Sequence, residues 1–435
     1  MLEGQLPYVD LWDRKPLGLF LIYALASLFG DGVLAHQIIA AICALLTSFA
    51  VFRIAGLVAH RAGAWWAAVL YQVYLSAFHC FGGQSPVFYN LLVALAAWRI
   101  CVTIQQQRWD RLASAGTVAM LLVGMAIQIK YTVVFEGFAF GLALIVLGRH
   151  AGFPFRRLLA LSAWWVACAL APTLIAAAAY AAAGHWPEFL HANFLSIFHR
   201  QVSVSWWAAI GKAAATLSGL VLSVAAAWKL RDLDGSRPWL RQFLYAWAAV
   251  AIIGFLLIKP FADHYRAPLL VPLTILSAAA WGRRGLAAVL TMVPLALGLA
   301  MAVPRTLGNP REGGTREQLD RATALIRPVL RGGCLFVFEG DPALYRSTRS
   351  CLPTRFVFPP HLSIDDEAAA IGVRPEDEVR RVMAGRPAVV VVYADFPRRP
   401  GNAAARALRP WLDRSYVAYA EFRSDEMRQL VYRLK

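Results

Sequence analysis

The residues best suited to chemistry stand close together near the start of the chain, in the segment LPYVDLWDRKPLGLF. This segment contains two carboxylates, two cations and two aromatic rings: Asp10, Asp13, Arg14, Lys15, Tyr8 and Trp12. A carboxylate can take a proton from a hydroxyl nucleophile, and cations can stabilise the charge that develops on a phosphate leaving group. The segment therefore predicts a site for a phosphate-linked substrate. The alternative is a loop at the membrane surface whose charges are only solvated.

The composition indicates what must position these residues. Of the 435 residues, 59% are hydrophobic and only 16% are charged, and the mean hydropathy is +0.52. Soluble domains average about 45–50% apolar and about 25% charged residues. Apolar runs long enough to cross a bilayer recur as far as residue 303, which predicts a polytopic α-helical membrane protein. The net charge of +17 is then a matter of membrane topology, and we expect no nucleic-acid partner.

The apolar runs predict about ten spans. They lie at residues 33–52, 62–79, 86–104, 112–129, 132–148, 158–182, 206–228, 242–258, 267–282 and 285–303. If the chain begins outside, every cytoplasmic connection is basic and carries, among others, Arg53, Arg61, Arg108, Arg111, Arg149, Arg156, Arg157, Lys229, Arg283 and Arg284. The outer loops hold few cations, and this asymmetry fixes the orientation. Both the first segment and the C-terminal region are therefore predicted to be extracytoplasmic.

Three regions follow from this reading. Residues 1–32 form a first extracytoplasmic loop with a short interfacial helix, because the apolar run Leu17–Phe29 is too short to cross a bilayer. Residues 33–304 form a transmembrane helical bundle. Residues 305–435, in which charges become frequent and apolar runs shorten, form a small α/β domain that we expect in the periplasm of a bacterial inner-membrane protein.

The C-terminal region has the pattern of a mixed domain. Helices are predicted at 315–330, 374–384 and 402–413. Short strands are predicted at Cys334–Phe338, Arg355–Phe358, Ala388–Tyr393, Tyr416–Phe422 and Leu430–Arg433. Cys334 and Cys351 could form a disulfide if this domain is periplasmic, and two free thiols are the alternative. The cysteine and histidine spacings fit no metal site, and no sequence motif indicates a divalent cation or another cofactor.

The few cations of the outer face are further candidates, because the positive-inside pattern does not account for them. Lys130 follows a span at a tight hairpin, where the alternative is a lysine that snorkels to the headgroups. The loop Lys259–Pro272 (KPFADHYRAPLLVP) places His264, Tyr265 and Arg266 between two spans.

Three side chains complete the set of candidates. The outer loop His79–Tyr89 (HCFGGQSPVFY) contains Gln84 and Tyr89, and it either shapes a substrate cavity or is only a turn. Glu136 lies inside a predicted span, where a carboxylate is a candidate for function unless it only pairs with a polar neighbour.

Five segments resemble, in order along the chain, the polytopic glycosyltransferases of the GT-C superfamily. They are EGQLPYVDLWDRKPLGLFLIYAL, FGGQSPVFYNLLVALAAW, GMAIQIKYTVV, FADHYRAPLLVPL and FVFEGDPALYRSTRSCLPTRFVFPPHL. The bacterial branch that they resemble most includes the lipid A aminoarabinose transferases, the rhizobial lipopolysaccharide-core sugar transferases and relatives of the protein O-mannosyltransferases. Each motif is loose, but the five together cover nearly the whole chain.

The resemblance implies an inverting transfer of a sugar from a polyprenyl-phosphate donor to an acceptor at the periplasmic face. Lys15 matches a lysine that contacts the lipid phosphate, and Lys130 and the loop His264–Arg266 match positions that line the same cavity. In the family a helix and a catalytic carboxylate precede the first loop, and neither is in this sequence, so we expect an N-terminally truncated chain. Tyr89 stands roughly where many relatives carry a glutamate.

The resulting hypothesis assigns a role to every candidate. Asp10 and Asp13 are the candidate catalytic residues, and the donor phosphate is bound by Lys15, Arg14, Lys130, His264, Tyr265 and Arg266. Tyr8, Trp12, Gln84 and Tyr89 line the substrate cavity. The partners are a polyprenyl-phosphate-linked sugar, membrane lipids, and a lipid, glycan or protein acceptor, and the sequence does not identify the sugar. The alternatives are a transporter or flippase for a lipid-linked substrate, an inactive truncated homologue, and a membrane scaffold.

Overall fold

The structure is a computed structural model that describes residues 4–30, 33–80, 82–201, 204–230, 237–257, 261–307, 314–398, 400–424 and 427–435. The chain divides into two compact units. The helical unit comprises residues 15–179 and 204–306, and the mixed unit comprises the described parts of 1–14, 180–203 and 307–435. The C-terminal boundary lies close to the predicted one at 305, whereas residues 1–14 and 180–203 group with the C-terminal region.

The helical unit is built from apolar helices that follow one another with short connections. In chain order they are α1 (Leu17–Ser27), α2 (Val33–Ala55), α3 (Arg61–Ala77), α4 (Ser85–Gln105), α5 (Leu112–Ile127), α6 (Val134–His150), α7 (Phe155–Ala182, whose last residues belong to the mixed unit), α9 (Trp206–Leu230), α10 (Pro238–Leu257), α11 (Ala267–Ser277) and α12 (Val289–Leu307). Short 3-10 turns precede α5, α6, α11 and α12, and another follows α11.

Eight of the ten predicted spans are confirmed as helices that are long and apolar enough to cross a membrane, among the described residues. The two exceptions are the predicted spans 62–79 and 267–282. There the structure has α3, with 17 residues, and α11, with 11. The 3-10 turns Asp263–Arg266 and Ala278–Ala280 extend α11 at both ends, and the first of them carries charged residues rather than apolar ones. Hydropathy predicted a span for α11 because a fully buried helix is as apolar as one that faces lipid.

The mixed unit contains helices and a four-stranded sheet. Its helices are α8 (Trp186–Leu190), α13 (Arg316–Leu330), α14 (Ala343–Thr348), α15 (Pro360–Ser363), α16 (Asp365–Ala368), α17 (Pro375–Ala384) and α18 (Ala403–Ser415). A π-helical turn at His191–Leu195 and a 3-10 turn at Ser196–His199 follow α8. The strands are β1 (Leu335–Val337), β2 (Val389–Tyr393), β3 (Tyr416–Ser424) and β4 (Met427–Leu434).

The sheet has the order β1-β2-β4-β3. β1 pairs with β2 in parallel, and the other two pairs are antiparallel. The first four residues of β2, Val389–Val392, are all buried, which is the continuous apolar pattern of a central strand covered on both faces. This small α/β domain was predicted, and four of the five predicted strands are confirmed.

The predicted strand Arg355–Phe358 is wrong, because these residues form no strand. Pro353 and Pro359–Pro360 flank them, and proline has no N–H to donate to a ladder. Phe356 is nevertheless buried in the domain core, at 2% exposure.

Local sequence explains the helices of the C-terminal region well. A capping box fixes the start of α13, in which the Thr315 Oγ1 atom accepts from the Gln318 backbone and the Gln318 side chain accepts from the Thr315 backbone. Ala322, Ile326 and Leu330 then recur every four residues and form its buried face. Cys334 and Cys351 form a disulfide, the first of the two alternatives that the sequence left open.

Candidate functional site

Two of the predicted phosphate-binding residues, Lys15 and Lys130, lie within electrostatic range of a third, His264, in the helical unit. Burial, together with the positive charges of Lys130 and Lys15, lowers the pKa of His264 to about 4. The imidazole is therefore neutral at pH 7, and the two ammonium groups supply the positive charge. Lys15, Lys130 and His264 are called the phosphate cluster below.

Each member of the phosphate cluster precedes the N-terminus of a helix. Lys15 stands before Pro16, which caps α1, Lys130 caps the 3-10 turn that leads into α6, and His264 lies in the turn that leads into α11. The first N–H groups of a helix have no partner within that helix, and its dipole favours negative charge there. The local structure therefore adds to the effect of the charged side chains.

A close approach of two backbones holds α1 beside the turn that carries Lys130. Gly18 has no side chain, and a Cβ atom at that position would lie 2.6 Å from the carbonyl oxygen of Gln128. Gln128 in turn donates from its side chain to the Thr173 hydroxyl at 2.6 Å. The contact at Gly18 therefore fixes the distance between the segments that bear Lys15 and Lys130.

Lys130 also contacts a second predicted site residue. Its Nζ atom lies 4.7 Å from the centre of the Tyr265 ring, which is a cation–π arrangement. Both side chains line a narrow crevice of about 30 Å³ together with Tyr89, Thr132 and Glu136. That volume holds about one water molecule. The structure thus brings the buried carboxylate of Glu136 into the surroundings of Lys130.

Asp263 is the centre of a second basic cluster. Lys212 Nζ lies 2.6 Å, Arg266 Nη2 3.0 Å, Arg305 Nη2 3.6 Å and His79 Nε2 3.8 Å from its carboxylate oxygens. Burial opposes ionisation of this carboxyl group, but the hydrogen bond from Lys212 and the charges of the two arginines lower its pKa below the ordinary value. One carboxylate thus faces three permanent cations.

Arg266 is the most deeply buried of these cations, at 1% exposure. Its Nε and Nη1 atoms have no hydrogen-bond partner among the residues that the structure describes. Buried polar groups in proteins are almost always paired, so these donors and the surplus positive charge favour binding of an anion.

The two candidate catalytic carboxylates lie in the mixed unit and hold local turns. An Asp10 side-chain oxygen accepts from the Leu6 N–H at 2.7 Å, and an Asp13 side-chain oxygen accepts from the Arg14 N–H at 2.6 Å. Asp10 is exposed and Asp13 is half-buried. Among the residues that the structure describes, these are the hydrogen bonds that the two carboxylates accept.

Arg14 has a structural partner within the mixed unit. Its guanidinium group and that of Arg200 both form ion pairs with Glu367, and all three side chains are 14–17% exposed. The pairs join the first segment and the connection after α8 to α16. Arg14 was predicted to bind the donor phosphate. In the structure it forms an ion pair with Glu367.

Tyr8 and Trp12 line a cavity of about 210 Å³ within the mixed unit. Glu188, His191 and Arg355 also line it. Trp12 is 3% exposed, packs against Phe356 and His361, and donates its backbone N–H to the Arg355 carbonyl.

Tyr8 is completely buried and packs against Tyr180 with their rings tilted, and the Tyr180 hydroxyl donates to the Pro7 carbonyl. An aromatic wall with both acidic and basic groups is suited to a carbohydrate with polar substituents.

The four residues predicted to line one substrate cavity are thus distributed among different places. Tyr8 and Trp12 line the cavity of the mixed unit, Tyr89 lines the crevice beside Lys130, and Gln84 is exposed at the residue before α4. Lys259 lies outside the described residues.

Sequence reasoning did not select several side chains that the structure places around the candidates, namely Thr132, Glu188, His191, Lys212, Arg305 and Arg355.

Comparison with solved structures identifies this arrangement of helices and sheet. The ArnT protein of Cupriavidus metallidurans bound to undecaprenyl phosphate is similar over 97% of this chain and 88% of its own, with 15% identity and a TM-score of 0.61. Its apo state is similar over the same shares, with a TM-score of 0.59. The chain has the GT-C fold.

Two further comparisons bear on this GT-C fold. The archaeal oligosaccharyltransferase AglB of Archaeoglobus fulgidus, in complex with an inhibitory peptide and a dolichol-phosphate, matches 92% of this chain and 63% of its own, with 12% identity and a TM-score of 0.52. By sequence, residues 13–182 match the family described as dolichyl-phosphate-mannose-protein mannosyltransferase. A search of the curated proteins found no significant match. The predicted GT-C architecture is thus confirmed at the level of the fold.

Proposed function

We propose that this protein is a membrane glycosyltransferase that moves a sugar from a polyprenyl-phosphate donor to an acceptor at the extracytoplasmic face. The observation that carries the proposal is the phosphate cluster, in which Lys15 and Lys130 lie close enough to His264 to lower its pKa. The GT-C fold and the family match over residues 13–182 support the same class of reaction. We place the protein in a bacterial inner membrane, with residues 305–435 in the periplasm.

The chemistry follows from the charge of the donor. When an acceptor hydroxyl attacks the anomeric carbon from the face opposite the phosphate, a new C–O bond forms and the bond to the phosphate oxygen breaks with inversion. The departing oxygen takes the bonding electron pair, so negative charge increases on the phosphate. Lys15 and Lys130 stabilise that charge, and the helix N-termini beside them act in the same direction. Neutral His264 donates a hydrogen bond to a phosphate oxygen.

Two other predicted residues support the donor side less directly. Tyr265 holds the Lys130 ammonium group through its ring. Arg266, with two unpaired donors and a surplus of positive charge around Asp263, adds to the electrostatic attraction for the donor. Arg14 contributes through its ion pair with Glu367, which orders the segment that precedes Lys15.

The acceptor side requires a base for the hydroxyl proton, and we assign this role to Asp10 or Asp13. Both belong to the same compact unit as the aromatic cavity of Tyr8 and Trp12. That cavity favours an acceptor that presents a sugar ring, such as lipopolysaccharide or an envelope glycan, over an unmodified protein. Asp13→Asn and Asp10→Asn separate the two candidates, because only loss of the base should abolish turnover while the donor still binds.

The decisive experiment uses the full chain in proteoliposomes with a labelled polyprenyl-phosphate sugar and a lipopolysaccharide acceptor. Lys15→Ala should reduce transfer at least 100-fold and leave membrane insertion unchanged, because one lost contact to a developing oxyanion costs about 10²–10³ in rate. Lys229→Ala removes an exposed lysine at the last turn of α9 and should transfer normally. Normal turnover in Lys15→Ala would refute the assignment. Movement of the donor across the bilayer without a new glycosidic bond would establish a flippase instead.

A further inference from the structure

A cavity of about 570 Å³ in the helical unit lies away from the outer loops. Residues at the end of α6, the start of α7 and the start of α10 line it. These helix ends adjoin the basic connections that the positive-inside pattern assigns to the cytoplasmic side. No residue of the phosphate cluster or of the Asp263 cluster lines this cavity.

One wall of the cavity is basic and aromatic. Arg149 and His150 end α6, and the His150 ring lies between the rings of Trp109 and Trp239, with centroids 5.8 Å and 4.8 Å away. Arg149 is exposed and has no ion pair among the residues that the structure describes. The charge of Arg149 is therefore available to a ligand.

Two helix N-termini meet at the same cavity. α7 has 28 residues and α10 has 20, and neither carries an acidic residue in its first turn. Phe155 begins α7 and Trp239 is the second residue of α10, and both line the cavity. Unsatisfied N–H groups at a helix start bind anions, so the backbone and the side chains favour the same sign of charge.

Several other lining residues are apolar and exposed. Val146, Phe155 and Leu159 are 42%, 76% and 61% exposed, although each lies beside the cavity. A free phosphate ion would leave this surface bare, and a neutral lipid would leave Arg149 without a countercharge. An amphipathic anion satisfies both.

We propose that this cavity binds an anionic phospholipid of the cytoplasmic leaflet. Its phosphate contacts Arg149 and the start of α7, and its acyl chain covers Val146, Phe155 and Leu159. Basic pockets between transmembrane helices recognise anionic lipid head groups by this combination of charge and apolar contact. The site is independent of glycosyl transfer, so the proposal holds or fails whether or not the protein is an enzyme.

The test measures lipid binding to the purified full chain by native mass spectrometry in a mild detergent. The probes are phosphatidylglycerol, phosphatidylcholine with the same acyl chains, and glycerol 3-phosphate. Wild type should bind phosphatidylglycerol at least tenfold more tightly than phosphatidylcholine, and millimolar glycerol 3-phosphate should not displace it. Arg149→Ala should lose this preference, whereas Arg61→Ala, which removes an exposed arginine at the start of α3, should keep it.

A second variant covers the case in which Arg149→Ala does not fold. Ser162 also lines the cavity, half-buried, and Ser162→Trp fills the space without changing the charge. This variant should lose the bound phosphatidylglycerol while Arg149 is still present. Equal binding of both lipids by wild type, an equal loss in Arg61→Ala, retention in Ser162→Trp, or displacement by glycerol 3-phosphate would each overturn the proposal.

Discussion

The close contact between Gly18 and Gln128 gives the sharpest test of how the phosphate cluster is assembled. Gly18→Ala adds a Cβ atom 2.6 Å from the Gln128 carbonyl oxygen and 2.8 Å from the Gln128 Cβ atom. The nearest of these atoms is backbone and cannot rotate away. α1 must therefore move by roughly 0.8 Å to restore an ordinary contact of 3.4 Å.

The size of the effect follows from that displacement. Overpacking of a closely packed contact costs about 1–3 kcal/mol of stability. Lys15 lies three residues before Gly18 and moves with α1, and a misplacement of about 1 Å can cost about 100-fold in rate. We therefore expect Gly18→Ala to reduce kcat/KM for sugar transfer by about 10- to 100-fold, with a lower thermal midpoint.

The assay combines transfer in proteoliposomes with binding of undecaprenyl phosphate measured by native mass spectrometry. Gly211→Ala is the matched control, because Gly211 lies inside α9 and a Cβ atom there would meet nothing within 4 Å. That variant should be neutral or slightly more stable, since alanine favours a helix over glycine by about 1 kcal/mol. If Gly18→Ala transfers and binds like Gly211→Ala, the contact does not position Lys15 and the reasoning is wrong.

Three more predictions concern other parts of the chain. The pKa of His264 is about 4, and the negative charge of a bound phosphodiester would raise it. The affinity for the donor should therefore increase several-fold from pH 7 to pH 5, because binding then favours the protonated imidazole. In a binding titration His264→Gln should flatten this pH dependence, and a pH profile that the variant leaves unchanged would contradict the prediction. Glu367→Gln removes the countercharge of Arg14 and Arg200, which are 15–17% exposed, and should lower the free energy of unfolding by about 3 kcal/mol. The control Glu317→Gln breaks the pair with Arg321, in which both side chains are more than 70% exposed, and should cost less than about 0.5 kcal/mol in the same thermal melts. The Cys334–Cys351 disulfide closes a loop of 17 residues, so its reduction should lower the free energy of unfolding by about 3 kcal/mol. A reductant should therefore lower the thermal midpoint of the wild type and leave that of the double variant Cys334→Ser/Cys351→Ser unchanged.

The sequence predicted the architecture because local composition determines it. A span needs about 20 apolar residues wherever it packs, so eight spans were found, and Thr315 and Gln318 mark the start of α13 by local hydrogen bonds alone. Hydropathy failed at α11, because it measures how apolar a segment is and not whether lipid or protein surrounds it.

The sequence could not show which candidate side chains lie close together in the fold. Asp13, Arg14 and Lys15 are consecutive and equally polar, yet Arg14 pairs with Glu367 and belongs to the mixed unit, while Lys15 lies near Lys130 and His264 in the helical unit. A partner more than 350 residues away leaves no local pattern, because the ion pair exists only once the chain has folded.

The same division holds for the aromatic residues of the first segment. The sequence shows Tyr8 and Trp12 among charged residues and predicts that they lie near a membrane surface. Only the tertiary structure shows that Trp12 packs against Phe356 and Tyr8 against Tyr180. The hydrophobic effect favours burial of these rings, but the residues that bury them are distant in sequence. Composition thus determined that the chain spans a membrane and carries an extra α/β domain, and packing decided which charges and rings face one another.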